Sequence, residues 1–325
     1  MIVKFLIAIA ICFAATAILA RIFIPVLKSY KIGQKIKDIG PRWHKSKEGT
    51  PIMGGLFFIA PIMLVMLAYF FAFMDLSQSS IRLLLSLAMA LANGAIGFVD
   101  DARKLFKKQN EGLKAAEKFM LQLIVSALYL LAMTYLGGLT TELYIPFIDK
   151  SLELGKAYYI IALLLLVGVT NSVNLTDGID GLASCVTAVV CAFFALSAAV
   201  AANEGALYLA GAVFGGCLGF LVYNFNPAKI FMGDTGSLFL GGAVCAMAFM
   251  MNNPLIIIVV GIIYMAEVVS VILQVSYYKI TKGKRLFKMA PLHHHFERCG
   301  WSENTIVAVF SAISLAACAL AYFLG

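Results

Sequence analysis

A succession of long apolar stretches constrains this chain more than any other feature of its sequence. Crossing a hydrocarbon core of about 30 Å takes roughly 20 apolar residues in a helix, and such stretches recur from end to end. At 62% apolar residues, the chain lies far outside the composition of soluble domains. We therefore predict an all-α polytopic membrane protein with about ten transmembrane helices. The predicted helices lie at approximately 2–27, 52–74, 82–99, 119–136, 157–173, 182–201, 206–223, 236–252, 255–278 and 304–324.

The chain shows no fixed-period repeat and no linker. We therefore predict that residues 1–325 form a single membrane domain. The first stretch predicts a retained helix rather than a signal peptide, because it is about 25 residues long and no convincing cleavage site follows it. The seven cysteines lie mostly inside apolar stretches and form no CxxC pair. This pattern indicates neither a disulfide framework nor a zinc site.

Basic residues between the stretches predict the orientation of the chain. Seven bases lie in 28–47, six in 103–118 and six in 279–298, whereas the alternate connections hold only Lys150 and Lys156. By the positive-inside rule, the basic segments are cytoplasmic and both termini are extracytoplasmic. Every polar motif described below is then on the cytoplasmic face. In the outer connection at 137–156, apolar and polar residues alternate enough to predict a small β-hairpin.

The first polar motif, GFVDDARKL, carries Asp100 and Asp101 at the predicted end of the third helix. Adjacent carboxylates repel each other and need a cation or hydrogen-bond donors nearby, and Lys104 supplies one a turn later. Acid clusters at a bilayer surface suggest metal-dependent chemistry, but a pair of aspartates alone is also common in polar loops.

The second motif, NSVNLTDGIDGLA, places two asparagines and two aspartates on a turn between helices: Asn171, Asn174, Asp177 and Asp180. Side chains three residues apart share a face, and the two glycines let backbone groups approach a ligand. An Asx-rich turn that caps the next helix would explain the same residues without a ligand.

The third motif, YNFNPAKIFMGDTGSL, places Asp234 directly before a predicted helix. Free backbone amides and the positive end of that helix favour an anion such as phosphate. A carboxylate aimed at the same point needs a divalent cation between itself and the phosphate. Hard oxygen ligands favour magnesium or manganese over zinc.

The fourth motif, PLHHHFE, places His293, His294 and His295 in a loop rich in Lys and Arg. Three consecutive histidines cannot all face one metal in a helical or extended backbone. The motif therefore favours hydrogen bonding to phosphate or sugar over a zinc site.

Elsewhere, Glu267 is the only acid inside an apolar stretch, which indicates either a functional group or a buried acid hydrogen-bonded to a neighbouring helix.

Together with the earlier TPIMGG, these motifs resemble the bacterial phospho-N-acetylmuramoyl-pentapeptide transferase family, within the polyprenyl-phosphate N-acetylhexosamine-1-phosphate transferases. The resemblance covers the whole chain, with Ile52 where the family pattern has threonine. It implies transfer of phospho-MurNAc-pentapeptide from UDP-MurNAc-pentapeptide to undecaprenyl phosphate, giving lipid I and UMP in the first membrane step of peptidoglycan synthesis. It also implies Mg²⁺, a homodimer and the bacterial cytoplasmic membrane.

The resemblance further implies roles for individual residues. Asp234 would bind Mg²⁺, and Asp100 would act on the acceptor phosphate as base or positioner, with Asp101 supporting it. Lys104 and His294 would neutralise phosphate charge. The implied substrate-binding positions are Lys118, Asn171, Asn174, Asp177, Asp180, Asn224, Phe231, Gly233, Gln274, His293 and His295, with Phe231 available to stack on uracil.

Two alternatives stay open at this point. A member of the same superfamily could use UDP-GlcNAc or a related sugar, although PLHHHFE favours the muramoyl branch. A cation-coupled transporter could also carry several acids. Transporter acids usually lie near the middle of the membrane between broken helices, where this sequence has only Glu267.

Overall fold

The structure is a computed structural model that describes residues 2–29, 47, 49–75, 77–106, 112–148 and 150–324. Most of the basic segment 28–47 therefore lies outside the described residues, as do Lys107 and Lys108. The described part contains a two-stranded sheet, β1 (Glu142–Ile145) and β2 (Lys150–Glu153), and twelve helices. The helices are α1 (Ile2–Ser29), α2 (Leu56–Phe73), α3 (Gln78–Phe106), α4 (Ala115–Tyr135), α5 (Lys156–Thr176), α6 (Leu182–Val200), α7 (Glu204–Asn224), α8 (Gly233–Met250), α9 (Ile256–Val260), α10 (Ile262–Ile280), α11 (Leu292–Arg298) and α12 (Glu303–Leu324).

Within the described residues, nine helices are long and apolar enough to cross a membrane, namely α1 to α8 and α12. This confirms the predicted all-α polytopic membrane protein. The predicted helix at 255–278 is divided into α9 and α10, because the backbone of Gly261 leaves the helical conformation. The extracytoplasmic location of both termini stays a prediction.

Helices α3, α5 and α8 extend beyond their predicted ends into the polar motifs. Helix α3 continues to Phe106, α5 continues to Thr176, and α8 begins at Gly233. The predicted ends were placed where apolar residues stop, but backbone hydrogen bonding continues a helix into polar sequence outside the hydrocarbon. The expectation that Asp100 and Asp101 end a helix is therefore wrong, since both lie inside α3.

Helix α8 is the centre of the bundle, and every residue from Thr235 to Met250 is buried. It packs most extensively against α3 and also against α5, α6 and α7. At Gly97 of α3, a Cβ atom would overlap the backbone carbonyl of Asp234, and at Gly94 it would lie 3.2 Å from Phe239. Small residues let membrane helices approach this closely. The contact brings the polar end of α3 beside the first turn of α8.

Helix α1 packs against α7 in a similar way. Gly211, Gly215 and Gly219 form one stripe on α7, and each faces a residue of α1. A Cβ atom at Gly215 would overlap the backbone of Ile9, and one at Gly219 would overlap that of Phe13. Direct backbone contact therefore defines this interface.

The predicted hairpin at 137–156 is confirmed, since β1 and β2 pair antiparallel with Glu142 opposite Glu153. Arg82 at the start of α3 stabilises this end of the molecule. Its guanidinium donates to the carbonyls of Gly137 at 2.6 Å and Gly138 at 3.0 Å, which follow the last turn of α4. It also donates to Oδ1 of Asn252 at 3.0 Å.

Candidate active site

Three aspartates from α3 and α8 form the centre of the candidate site. Carboxylate oxygens of Asp100, Asp101 and Asp234 lie within 4.8 Å of one another. Asp100 and Asp101 are almost fully buried, at 3% and 2% exposed. Three carboxylates this close repel each other strongly unless cations lie between them.

Two lysines supply part of the required positive charge. The ammonium of Lys104 lies 2.6 Å from Oδ2 of Asp100, 2.7 Å from Oδ2 of Asp234 and 3.6 Å from Oδ1 of Asp101. This confirms the predicted pairing of Lys104 with the adjacent aspartates. Lys118 lies 3.3 Å from Oδ2 of Asp234. Three carboxyl groups thus meet two ammonium groups, which can balance the charge of at most two carboxylates.

Asp101 caps the N-terminus of α8. Its carboxylate accepts hydrogen bonds from the backbone N–H groups of Asp234 at 3.2 Å and Thr235 at 2.9 Å, and from the Thr235 hydroxyl at 2.7 Å. The expectation that free amides of this helix end would hold a phosphate is wrong for these two groups, because Asp101 already serves as their anion. Gly233 has φ +71°, and a Cβ atom there would lie 2.5 Å from Oδ2 of Asp101.

Asp100 is held by the segment that precedes α4. Its Oδ1 accepts a hydrogen bond of 2.7 Å from the backbone N–H of Leu113, and a Cβ atom at Gly112 would overlap its carboxylate. Glu117 fixes this segment by accepting from the Lys114 N–H at 3.2 Å. This contact was not predicted from the sequence. The available signal was Gly112, a glycine shortly before a predicted helix.

Asn174 links α5 to the aspartates. Its amide donates to Oδ1 of Asp234 and to the hydroxyl of Ser237, both at 2.7 Å, and its carbonyl oxygen accepts from Lys118 at 3.1 Å. Ser237 was not among the predicted site residues, although it follows Asp234 by three positions on one helix face.

Asp177 follows the last turn of α5. Desolvation of this half-buried carboxyl, followed by the nearby charges of Asp234, Asp101 and Asp180, raises its pKa well above the ordinary value.

The cluster has the donor atoms and the charge for a divalent cation. Oδ2 of Asp100 and Oδ2 of Asp234 both face the Lys104 ammonium, so a cation already fits between them. Both oxygens of Asp101 are engaged by α8 instead. Asp100 is held by the Leu113 N–H on Oδ1 and by Lys104 on Oδ2. Asp234, whose Oδ2 faces the ammonium groups of Lys104 and Lys118, is therefore the residue that could hold Mg²⁺, which takes hard oxygen ligands.

Two predicted substrate-binding residues hold the turns around the site. Oδ1 of Asp180 lies 2.6 Å from the Lys47 ammonium, and its Oδ2 accepts from Asn226 and from the Ala228 N–H, each at 2.9 Å. Asn224 accepts from the Gly181 N–H at 3.2 Å and donates to the Ile230 carbonyl at 2.9 Å.

The remaining predicted residues differ in their surroundings. Phe231 has a half-buried ring, and its backbone pairs with the TPIMGG segment through Pro51 and Gly54. Asn171 donates to Gln122 at 2.7 Å, one turn from Asn174 along α5. Gln274 bonds the backbone of Leu286 and Phe287 and so holds the loop after α10. Substrate binding by these residues stays a prediction.

The three histidines lie in the short helix α11 and not in an open loop as expected. Glu267 starts this helix by accepting from the backbone N–H groups of Leu292 at 2.7 Å and His293 at 3.3 Å. Glu267 was expected to be either a functional group or a buried acid hydrogen-bonded to a neighbouring helix. The structure shows the second arrangement, with α11 as the neighbouring helix. The His293 ring is buried with Nδ1 3.1 Å from Glu267, and it lies against Gly178 in the turn after Asp177.

Each histidine of α11 has a different partner. His294 Nδ1 lies 2.5 Å from Glu297, whereas His295 Nδ1 accepts from the Lys288 N–H at 3.1 Å. The contact between His293 and Gly178 brings α11 beside the second motif. A role of His294 toward phosphate stays a prediction.

Comparison with known proteins connects this geometry to a family. The family described as Glycosyl transferase family 4 matches residues 82–252, a range that contains the whole aspartate cluster. A phospho-N-acetylmuramoyl-pentapeptide-transferase of Clostridium perfringens (strain SM101 / Type A) is 45% identical over 98% of this chain and 96% of the relative. A protein of the same name from Clostridium botulinum (strain Eklund 17B / Type B) is 46% identical over 95% of this chain and 93% of the relative. A third, from Halalkalibacterium halodurans, is 42% identical over 98% of this chain and 97% of the relative.

Proposed function

Because the chain belongs to the phospho-N-acetylmuramoyl-pentapeptide transferase family and is a phosphoglycosyl transferase, we propose a specific reaction for it. The enzyme transfers phospho-MurNAc-pentapeptide from UDP-MurNAc-pentapeptide to undecaprenyl phosphate and releases UMP. The product is lipid I, and the reaction is the first membrane step of peptidoglycan synthesis. The protein is a multi-pass membrane protein, and we place it in the bacterial cytoplasmic membrane with this site on the cytoplasmic face.

The observation that carries the proposal is the meeting of Asp100, Asp101 and Asp234 with Lys104 and Lys118. Phosphoryl-type transfer depends mainly on positioning and charge neutralisation rather than on covalent work by the protein. A site with fixed ammonium groups among carboxylates supplies both. Its place at the ends of membrane helices suits a lipid-linked acceptor and a soluble anionic donor.

Asp234 would hold Mg²⁺, which when bound would neutralise the donor diphosphate and its leaving group. The residues around Asp234 prepare this arrangement. Asn174 orients Asp234 through its 2.7 Å hydrogen bond, and Asp101 fixes the first turn of α8. Lys104 and Lys118 remain as ammonium groups that contact the transferred phosphate.

Asp100 acts as a positioning group and not as the base. A phosphate monoester with a second pKa near 6 is already mostly dianionic at neutral pH, so its oxygen can attack without losing a further proton. Both Asp100 oxygens already have donors, the Leu113 N–H and the Lys104 ammonium. Asp100 therefore serves to hold Lys104 beside the acceptor phosphate.

Turnover of two labelled donors by the purified protein tests the proposal. We expect UMP release from UDP-MurNAc-pentapeptide with undecaprenyl phosphate and Mg²⁺, and at least about tenfold less from UDP-GlcNAc. Comparable turnover of UDP-GlcNAc would overturn the muramoyl assignment. Substrate uptake into vesicles without UMP release would instead indicate a transporter.

The His294→Ala variant tests the donor contact of α11. Charge-assisted hydrogen bonds are worth about 1.5–3 kcal/mol, so we expect donor use to weaken by at least about tenfold. The loop between α10 and α12 could alternatively contact only anionic lipid head groups, which its lysines and arginines would also explain. Unchanged donor kinetics for His294→Ala, together with weaker binding to anionic vesicles, would favour that alternative.

A further inference from the structure

We infer that Glu303, the first residue of α12, is a positioning residue for the nucleoside end of the donor site. The inference rests on the proposed function, because it states what this residue does for the proposed uridine diphosphate donor. Glu303 belongs to none of the four polar motifs, and α12 carries none of the predicted site residues. Its contacts nevertheless reach two segments that do.

The carboxylate of Glu303 joins two groups that are distant in sequence. It accepts a hydrogen bond of 2.9 Å from the backbone N–H of Asp180, and its Oε1 lies 2.6 Å from the Lys47 ammonium. The same ammonium lies 2.6 Å from Oδ1 of Asp180. The Asp180 side chain is 1% exposed and that of Glu303 is 14% exposed, so these charges are largely shielded from water. Shielded, charge-assisted contacts of this kind hold their geometry firmly.

The first segment is the turn at 177–181. Glu303 holds the backbone of this turn at Asp180, and Asp177 lies at its start. The second oxygen of Asp180 accepts from Asn226 and from the Ala228 N–H, which belong to the connection that leads to Phe231. The turn and that connection therefore depend on one buried carboxylate, whose own backbone is held by Glu303.

The second segment begins at Lys47. The carbonyl of Lys47 accepts from the Thr50 N–H at 3.1 Å, and the following residues pair with Phe231. Pro51 accepts from the Phe231 N–H at 2.8 Å, and the Gly54 N–H donates to the Phe231 carbonyl at 2.9 Å. Fixing the Lys47 ammonium thus contributes to the position of Phe231.

These two segments carry the residues proposed to frame the nucleoside, Asp177 and Phe231, whereas the contacts described for Glu303 do not include the three clustered aspartates. Loss of its charge would remove one of the two acids that contact Lys47 within the described part of the chain, and would weaken the acceptor for the Asp180 N–H. We therefore expect weaker binding of the uridine part of the donor, while the transfer step itself is preserved.

The test compares Glu303→Gln with wild type for equilibrium binding of UMP and for steady-state kinetics. Glutamine keeps the size and one acceptor oxygen and removes the charge. We expect the Kd for UMP and the KM for the donor to rise about tenfold, while kcat and the KM for undecaprenyl phosphate stay within about twofold. Glu303→Asp, which keeps the charge on a shorter side chain, should restore part of the loss. Asn304→Ala, at the exposed neighbouring position, is the matched control.

The outcomes separate this inference from the proposed function. Wild type that neither binds UMP nor releases it from the donor would overturn the function itself. Wild type that binds UMP, with Glu303→Gln binding it equally, would overturn only the inference. A fall in kcat and a rise in both KM values, with no rescue by aspartate, would assign Glu303 a general structural role instead. If Glu303→Gln does not fold, Lys47→Gln is measured against the same criteria.

Discussion

At the scale of single residues, the three carboxylates of the site share the Lys104 ammonium, and each also has partners of its own. Asp101 caps α8, Asp100 holds Lys104, and Asp234 contacts two lysines and Asn174. The adjacent aspartates look equivalent in sequence. Their roles differ because neighbouring positions on a helix point about 100° apart. Asp101 therefore reaches the backbone N–H groups of the first turn of α8, whereas Asp100 accepts from the Leu113 N–H.

We expect Asp234→Asn to reduce turnover by at least about a hundredfold, since an amide cannot supply the anionic ligand that holds Mg²⁺. Added magnesium should not restore it. The measurement is a magnesium titration of UMP release with a thermal unfolding curve. Asp75→Asn, at an exposed acid distant in sequence from the motifs, is the control. Near-normal activity of Asp234→Asn across the titration would show that Asp234 is not the metal ligand.

For Asp100→Asn, a pH profile distinguishes the two roles considered for this residue. Loss of a general base costs about a hundred- to ten-thousand-fold and depends on pH. A positioning group predicts that the loss is the same at pH 6 and at pH 9, and we expect this second result. A loss that shrinks at high pH, where hydroxide replaces the base, would favour base catalysis.

Asp177→Asn should stabilise the folded protein, and the gain should grow with pH. Because the folded-state pKa of Asp177 is raised, wild-type stability falls as pH rises from the unfolded pKa of about 3.9 to the folded value. The asparagine variant does not titrate. Thermal unfolding midpoints measured without magnesium should therefore coincide near pH 4 and diverge toward neutral pH. A constant difference across this range would contradict the proposed ionisation.

At the scale of secondary structure, the apolar stretches predicted the helices well but not where they end. The hairpin and the long apolar segments follow from local patterns, whereas the extension of α3 past Asp101 depends on contacts with α8 and with the segment before α4. The meeting of Asp100 and Asp234 could not be predicted for the same reason. The two residues are far apart in sequence, and no local pattern states which helices pack together.

The close approach of α3 and α8 gives a prediction at this scale. Gly97→Leu should separate the two helices, because even a Cβ atom overlaps the backbone carbonyl of Asp234. We expect loss of activity together with a lower unfolding midpoint. Gly168→Leu on α5, where a Cβ atom meets nothing within 4 Å, is the matched control. Equal stability of the two variants would contradict the packing argument.

At the scale of the whole molecule, the orientation in the membrane rests on the distribution of bases and can be tested with a single thiol. Among the seven free cysteines, Cys299 is exposed, whereas the others are buried or partly buried. A membrane-impermeant maleimide should therefore label the protein in inverted vesicles and not in intact cells. Cys299→Ser should abolish the label. Labelling of Cys299 from outside intact cells would reverse the predicted orientation.

The burial of α8 from Thr235 to Met250 has a consequence for biosynthesis. This helix is the least apolar of the nine candidate spans and carries Asp234 in its first turn, so it is the poorest of them at entering lipid unaided. Its main partners, α3 and α5, precede it in the chain and are already synthesised when α8 leaves the ribosome. The order of the helices thus lets α8 insert against protein that is already in place, so that the candidate active site assembles as part of membrane integration itself.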